Sequence, residues 1–218
     1  MTKSLLPLLL ALTGCASAAP PATVLAGTAP SQQTSAPDGY FCVDAARSRF
    51  TAVARALGVR HSVRVVDFRG AAQVSGSRPV TLWVVADLST AQGDSELLTG
   101  LLRSRRFLYV ERYPRAHFES LEVQASDTTH EVTGRLTLRG RSQVLAVTGT
   151  HELVTGGVRA RSRFSVRRED FGVLPGAPYE WVLGSTIDIE LDLLARECDA
   201  SASEPPQAPA PDPSDSEP

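Results

Sequence analysis

Two-residue alternation constrains this chain more than anything else in it. From Val158 to Val166, the residues Val158, Ala160, Ser162, Phe164 and Val166 share one parity, and Arg159, Arg161, Arg163 and Ser165 take the other. Successive side chains of a strand point to opposite faces, so this segment reads as a half-buried strand, apolar inside and basic outside. Ile187, Ile189, Leu191 and Leu193 stand opposite Asp188, Glu190 and Asp192 in the same way. Val132, Gly134, Leu136 and Leu138 oppose Thr133, Arg135, Thr137 and Arg139. Further inner rows are Phe50, Ala52 and Ala54, then Val66, Phe68, Gly70, Ala72 and Val74, then Val80, Leu82, Val84, Ala86 and Leu88. Trp83 and Val85 are apolar on the opposite parity of that last row. Weaker alternation over 115–124 and 143–154 brings the total to about eight strands.

One stretch breaks the period. Leu97, Leu98, Leu101 and Leu102 have helical spacing, and Phe107 follows. The spacing predicts an amphipathic helix over Ser95–Phe107, with Asp94 or Ser95 as N-cap and Arg103, Arg105 and Arg106 near its C-terminal end. Strands that are apolar on one face only, joined by short turns, close a barrel or pack as a sandwich. The inner rows hold many small residues, among them Ala52, Ala54, Gly70, Ala72, Gly134 and Ala160. Small inner residues leave a cavity, or large neighbours such as Phe68, Trp83 and Phe164 fill the space; periodicity does not choose between them.

The ends of the chain have another composition. Lys3 precedes the apolar run Leu5–Leu12, which is far too short for the roughly 20 residues of a membrane span. The run ends in Leu12-Thr13-Gly14-Cys15, which resembles the lipobox of bacterial lipoproteins. That resemblance implies a signal peptide over 1–14 and a lipid-acceptor cysteine at Cys15. Residues 15–38 have tether composition, 39–199 hold the folded domain, and 200–218 form a Pro-, Ser- and acid-rich tail expected to be disordered. Ala16 follows the cysteine, which resembles the outer-membrane sorting pattern. The expected location is the cell envelope, at the periplasmic face of the outer membrane in a Gram-negative cell. Cys42 and Cys198 are then the only other cysteines, an even pair in an exported chain, and read as a disulfide.

The order of several short segments resembles the YceI-like family. Tyr40, Asp44, Ser48 and Phe50 resemble its opening strand, and Leu57–Val63 its glycine–histidine segment. Leu98–Phe107, Tyr113-Pro114 and Phe118-Glu119-Ser120 resemble its helix and following strand. Gly134–Gly140 and Arg168–Val173 resemble two further family segments. The chain departs from the pattern at Val66–Gly70 and at Gly140-Arg141-Ser142. The resemblance implies an all-β fold, an eight-stranded antiparallel lipocalin-like barrel with one helix, that binds a long-chain isoprenoid or similar amphiphile. By parity, Phe50, Phe68, Ala72, Leu82, Leu136, Ala160, Phe164, Ile189 and Leu191 are expected to wall one continuous cavity. His61, Tyr113 and Trp181 are the candidates to meet a polar head group at its mouth.

No catalytic constellation is legible. His61, His117, His130 and His151 show no i,i+4 metal spacing, and there is no G-x-S-x-G elbow. Asp170-Phe171-Gly172 matches a kinase triplet by letters only, without a glycine-rich loop. The reading is therefore no enzyme, no cofactor and no metal. A net charge of -2 gives no reason to expect nucleic acid. Expected partners are the amphiphile, the membrane through Cys15, and a second copy of the chain in a homodimer. The competing reading is a solid-core interaction module that shows its basic face to an envelope protein or anionic polymer. Arg159, Arg161, Arg163 and Arg167 motivate it, although pairing with Asp188, Glu190 and Asp192 would use those charges within the sheet. The lipobox reading has a direct measurement: the chain purified from the membrane fraction should show, by mass spectrometry, an acylated N-terminal cysteine at Cys15, and Cys15→Ser should leave the protein unacylated.

Overall fold

In a computed structural model the chain is described over residues 38–76, 78–174 and 183–203. The strands are β1 Gly39–Val43, β2 Arg49–Ala56, β3 Val59–Val65, β4 Phe68–Ser75, β5 Arg78–Asp87, β6 Ala91–Gly93, β7 Arg115–Ala125, β8 Thr129–Leu138, β9 Arg141–Val154, β10 Gly157–Arg167 and β11 Leu183–Cys198. A single α-helix among the described residues, α1 Glu96–Arg103, lies between β6 and β7. All strand pairings are antiparallel, and a ring closes because β11 pairs with both β10 and β1. β11 meets β2 through Leu183–Asp192 and β1 through Ala195–Cys198. β1 and β2 are thus two halves of one long strand, as are β3 with β4 and β5 with β6. The result is the expected closed eight-stranded barrel with one helix.

The three broken strands were not legible in the alternation, and side chains mend each break. Between β1 and β2 the Asp44 amide donates to the Leu194 carbonyl at 2.8 Å. Ser48 Oγ accepts from the Leu194 amide at 2.9 Å and donates to the Asp44 carbonyl at 2.7 Å. The ladder to β11 therefore continues across the break without an orphaned amide. The β3–β4 and β5–β6 breaks lie side by side and are stitched together. The Asp67 amide donates to Thr90 Oγ1, and the Asp87 amide to the Asp67 carbonyl, each at 2.9 Å.

Two bulges correct the expected parity. Val74 pairs with Pro79 while Gln73 pairs with Thr81, so Val80 is an extra residue on β5. Pro79 has no amide to give the ladder, and the bulge sits beside it. Parity flips there: Pro79 turns inward and Val80 is 44% exposed. Leu121 is the same kind of insertion on β7, between Ser120 opposite Gly134 and Glu122 opposite Thr133, and it too faces solvent. Val66, expected in an inner row, falls in the β3–β4 break and is also exposed.

The helix is shorter than the expected Ser95–Phe107. Ser95 caps its start, with Oγ accepting from the Leu98 amide at 3.2 Å. It stops at Arg103, where Ser104 turns extended and its Oγ donates to the Leu101 carbonyl at 2.6 Å. That back-bond occupies an acceptor the next helical turn would use. α1 covers the edge of β6 that no strand covers among the described residues. A Cβ on Gly93 would fall 2.8 Å from Leu98 Cγ, and the Gly93 amide donates to Thr99 Oγ1 at 2.9 Å.

At the other end of the chain, described structure runs past the expected boundary at 199. Ala200–Ser203 form a 3-10 turn, and the Ser203 carbonyl accepts from Trp83 Nε1 at 2.6 Å. This gives the outward-facing Trp83 of β5 a partner. The signal, Cys15, the tether over 15–37 and the tail from 204 lie outside the described residues.

Cys42 and Cys198 form the expected disulfide across the β1–β11 seam, with Cα atoms 5.8 Å apart and a sequence separation of 156. Tyr40 pairs with Cys198 and Cys42 with Arg196, so the bond crosses neighbouring strands diagonally. A loop of this length restricts the unfolded chain by up to about 5 kcal/mol in the chain-entropy account. Cys42→Ser/Cys198→Ser should therefore fold to the same barrel but lose about 2–5 kcal/mol in urea unfolding, with no loss relative to the parent when both are measured fully reduced.

Candidate functional site

The barrel interior is apolar and divided in two. A lower cavity of about 190 Å³ lies towards the disulfide end, and an upper cavity of about 470 Å³ lies under α1. Phe50, Ala116, Leu136 and Phe164 line both, and so form a waist between them. The upper volume falls in the usual range of small-molecule sites.

The expected wall residues divide between the two cavities. Ala72, Leu82, Ala160 and Leu191 line the lower one, and Ile189 lines the upper one. Phe50, Leu136 and Phe164 stand at the waist. Phe68 lines neither: it is 4% exposed, packs with Val65 and Ala86, and meets the Phe50 ring edge-on at 5.8 Å. It supports the waist from behind. In place of the single tunnel expected from parity stand two adjoining chambers, because four inner rows bring large or close-packed side chains to one level.

The mouth residues fare differently. His61 lines the upper cavity, but its Nδ1 lies 3.1 Å from Asp94 Oδ2. Tyr113 lines neither cavity; its ring meets Tyr109 edge-on at 5.8 Å, with the Arg112 guanidinium over it. Trp181 lies outside the described residues.

A partial roof lies over the upper cavity. Leu98, Leu101 and Leu102 of α1 form one side, and Phe171, Val173 and Leu174 of the turn after β10 form the other. Arg168 organises that turn. It is 2% exposed, and its guanidinium donates to the carbonyls of Val173, Leu174 and Gly184 and pairs with Glu169. Burying a guanidinium costs several kcal/mol unless it is paired and hydrogen-bonded, and here it is both.

The lower cavity holds a polar group that the histidine spacing did not disclose. His130 of β8, His151 of β9 and Ser162 of β10 all line it. His130 Nε2 lies 3.0 Å from Ser162 Oγ, and His130 Nδ1 lies 3.4 Å from His151 Nδ1. The two rings stack with centroids 5.6 Å apart. His130 and Ser162 both stand opposite Gly149 in the sheet, one from each side. A Cβ on Gly149 would sit 2.4 Å from Ser162 Oγ and 2.6 Å from His130 Nε2, so only glycine lets the two meet across β9. The usable signal was parity: His130 shares it with Val132, and Ser162 with Phe164. Which rows fall side by side depends on register, which alternation does not specify.

Burial holds both rings below the ordinary value of 6.5, and for His130 the neighbouring His151 adds to the effect. His151 Nε2 is shut off from solvent and has no hydrogen-bond partner among the described residues. An unpaired buried group of this kind costs about 1–3 kcal/mol. No three metal-binding side chains converge among the described residues, so the histidine pair is not part of such a cluster.

The outer face answers the competing reading. Arg159 makes a two-bond pair with Asp192 at 2.6 and 2.8 Å. Arg161 pairs with Glu152 and Asp192, Arg163 with Glu190 and Asp188, and Arg167 with Glu169. The basic row is neutralised within the sheet, which removes the observation that favoured a charged docking face.

The sequence profile of the family described as YceI-like domain matches residues 41–195. The UPF0312 protein of Pseudomonas aeruginosa is 36% identical over 78 residues, 33% of this chain and 41% of the relative. The match thus spans less than half the length of that curated relative. Among solved structures, BcnA of Burkholderia cenocepacia is similar with a TM-score of 0.66 at 18% identity, covering 70% of this chain and 98% of that one. A polyisoprenoid binding domain from Saccharophagus degradans has a TM-score of 0.62 at 15% identity, covering 74% and 100%. The YCEI protein of Campylobacter jejuni has a TM-score of 0.57 at 15% identity, covering 63% and 85%.

The lowered histidine values set a pH dependence. The folded state resists protonation at His130, His151 and also His117, where burial again dominates. The unfolded chain therefore binds more protons as pH falls through 6.5, and stability drops with it. Denaturant unfolding at stepped pH should show full stability above that value and a decline below it. The decline should be shallower in His130→Gln/His151→Gln, with the His117 share remaining. Loss of the Asp192 pairing belongs to a separate window below 3.8.

Proposed function

From the premise that this chain belongs to the YceI-like domain family, we propose that it binds a long-chain isoprenoid or similar amphiphile inside its barrel, as a carrier or buffer. The observation that carries this reading is the interior itself: two apolar chambers, end to end, inside a closed barrel. A flexible hydrocarbon fits such a shape, since each buried methylene contributes about 0.8 kcal/mol and needs no polar anchor. The polyisoprenoid binding described for the Saccharophagus degradans domain supports the same class of ligand. The protein acts by binding, not catalysis. Tethering through acylated Cys15 would hold the barrel at an envelope membrane, where such a ligand is drawn from or delivered to a bilayer.

The test fills the interior. Ala72→Phe and Ala160→Phe each place a ring in the lower cavity, and Ala54→Phe places one in the upper. Displacing two methylenes of a bound chain costs about 1.6 kcal/mol, roughly fifteenfold in Kd. All three variants should fold as judged by circular dichroism. Each should carry less lipid than the parent when solvent extracts of the purified proteins are compared by mass spectrometry. Equal loading of parent and all three variants would mean that the interior is not the binding site.

A further inference from the structure

We propose that the His130–His151–Ser162 group at the lower end of the barrel is the head-group subsite, and that it takes an uncharged hydroxyl or carbonyl rather than a phosphate. This rests on the lipid-binding reading and deepens it by fixing the chemistry and direction of the ligand. The head lies in the lower chamber, and the tail passes the waist into the upper one.

The argument starts from proton counting. Neutral imidazole carries one N–H, so the contact between the two δ nitrogens holds one proton. If His130 Nδ1 donates it, His130 Nε2 is bare and accepts the Ser162 hydroxyl proton. His151 Nδ1 then accepts, and His151 Nε2 carries an N–H. If His151 Nδ1 donates instead, His130 Nε2 donates to Ser162 Oγ and His151 Nε2 is a bare acceptor. In both arrangements every imidazole nitrogen of the His130–His151 pair has a partner except His151 Nε2. That atom is the open end of a three-residue relay, and the relay can offer a donor or an acceptor there. A carbonyl uses the first form, and a hydroxyl uses either.

Charge excludes the phosphate. The lining of the lower cavity contains no arginine, aspartate or glutamate; the histidines are its only ionisable side chains. Burial keeps both rings uncharged at neutral pH. A phosphate there would be desolvated and would meet a cation only by protonating a buried imidazole, which burial disfavours. At the upper end Arg168 is engaged by backbone carbonyls and the Glu169 carboxylate, and His61 by Asp94. Gly149 is the structural condition for the relay, since any side chain at that position would part Ser162 from His130.

The full chain is titrated with three probes that share one tail: geranylgeraniol, geranylgeranyl phosphate and the fully saturated hydrocarbon of the same carbon skeleton. The parent should bind the alcohol about three- to tenfold more tightly than the hydrocarbon, the value of one neutral hydrogen bond. The phosphate should bind more weakly than the alcohol. His151→Phe should abolish the preference for the alcohol and leave hydrocarbon binding in place; Ser162→Ala, which cuts the relay at its far end, should reduce it. Nitrogen-15 NMR of the parent gives a readout independent of variant folding: the His151 Nε2 resonance should move with the alcohol and not with the hydrocarbon. Alcohol and hydrocarbon binding alike, tightest binding by the phosphate, or an alcohol preference that survives His151→Phe each overturn the subsite while leaving the lipid-binding reading intact. Failure of all three probes to bind the parent overturns both.

Discussion

The whole barrel depends on the seam along β11. This strand pairs with β10 over its length, with β2 along its first part and with β1 along its last. Without it the sheet would expose two long edges and half of its apolar parity. Its register is held from both faces. Sliding by one residue would turn Ile187, Ile189, Leu191 and Leu193 outward and drive Asp188, Glu190 and Asp192 into an interior that has nothing to pair them. The outer arginines of β10 work in the same direction, since each finds its carboxylate in one register only. Exposed ion pairs contribute little stability individually, so their main effect here is selection of register.

How far the sequence could be read follows from where alternation runs unbroken. β10 lies close to its expected span, and β11 contains its expected Ile187–Leu193 and extends beyond it at both ends, because no bulge interrupts the alternation over Val158–Val166 or Ile187–Leu193. On β5 and β7 a single inserted residue reverses parity, which put Val80 on the wrong face. Phe68 was placed on the correct side of the wall but not in the cavity, because proximity to Phe50 is a packing fact rather than a periodic one. The histidine relay shows the deeper limit. His130, Gly149, Ser162 and His151 come from three strands, and only register makes them neighbours. A search for metal spacing along one helix could not find a group built across a sheet.

The interior and exterior solve opposite problems with the same residues. Outside, arginine is plentiful and each cation on β10 is matched by a carboxylate of the sheet or of the turn that follows β10, so the surface is polar without being strongly charged. Inside, polar atoms are few and nearly all are tied in pairs. An unsatisfied imidazole nitrogen such as His151 Nε2 therefore stands out against an apolar wall in a way it would not on a polar surface. Glycine contributes by omission: at position 149 the missing side chain is what lets a hydroxyl and an imidazole on either side of one strand touch.

The roof has unequal halves, and this gives the molecule a direction. Arg168 fastens the Phe171–Leu174 side, and lifting that side would strand a guanidinium away from three carbonyls at a cost of several kcal/mol. The α1 side rests on leucine contacts, the hydrogen bond from the Gly93 amide to Thr99, and one bond from the Arg103 guanidinium to the Ala91 carbonyl. Sliding a leucine face over other apolar groups exchanges one set of weak contacts for another, and Arg103 gives up a single carbonyl where Arg168 would give up three. The helix is therefore the more lightly fastened half of the roof, with one carbonyl held by arginine against three on the other side.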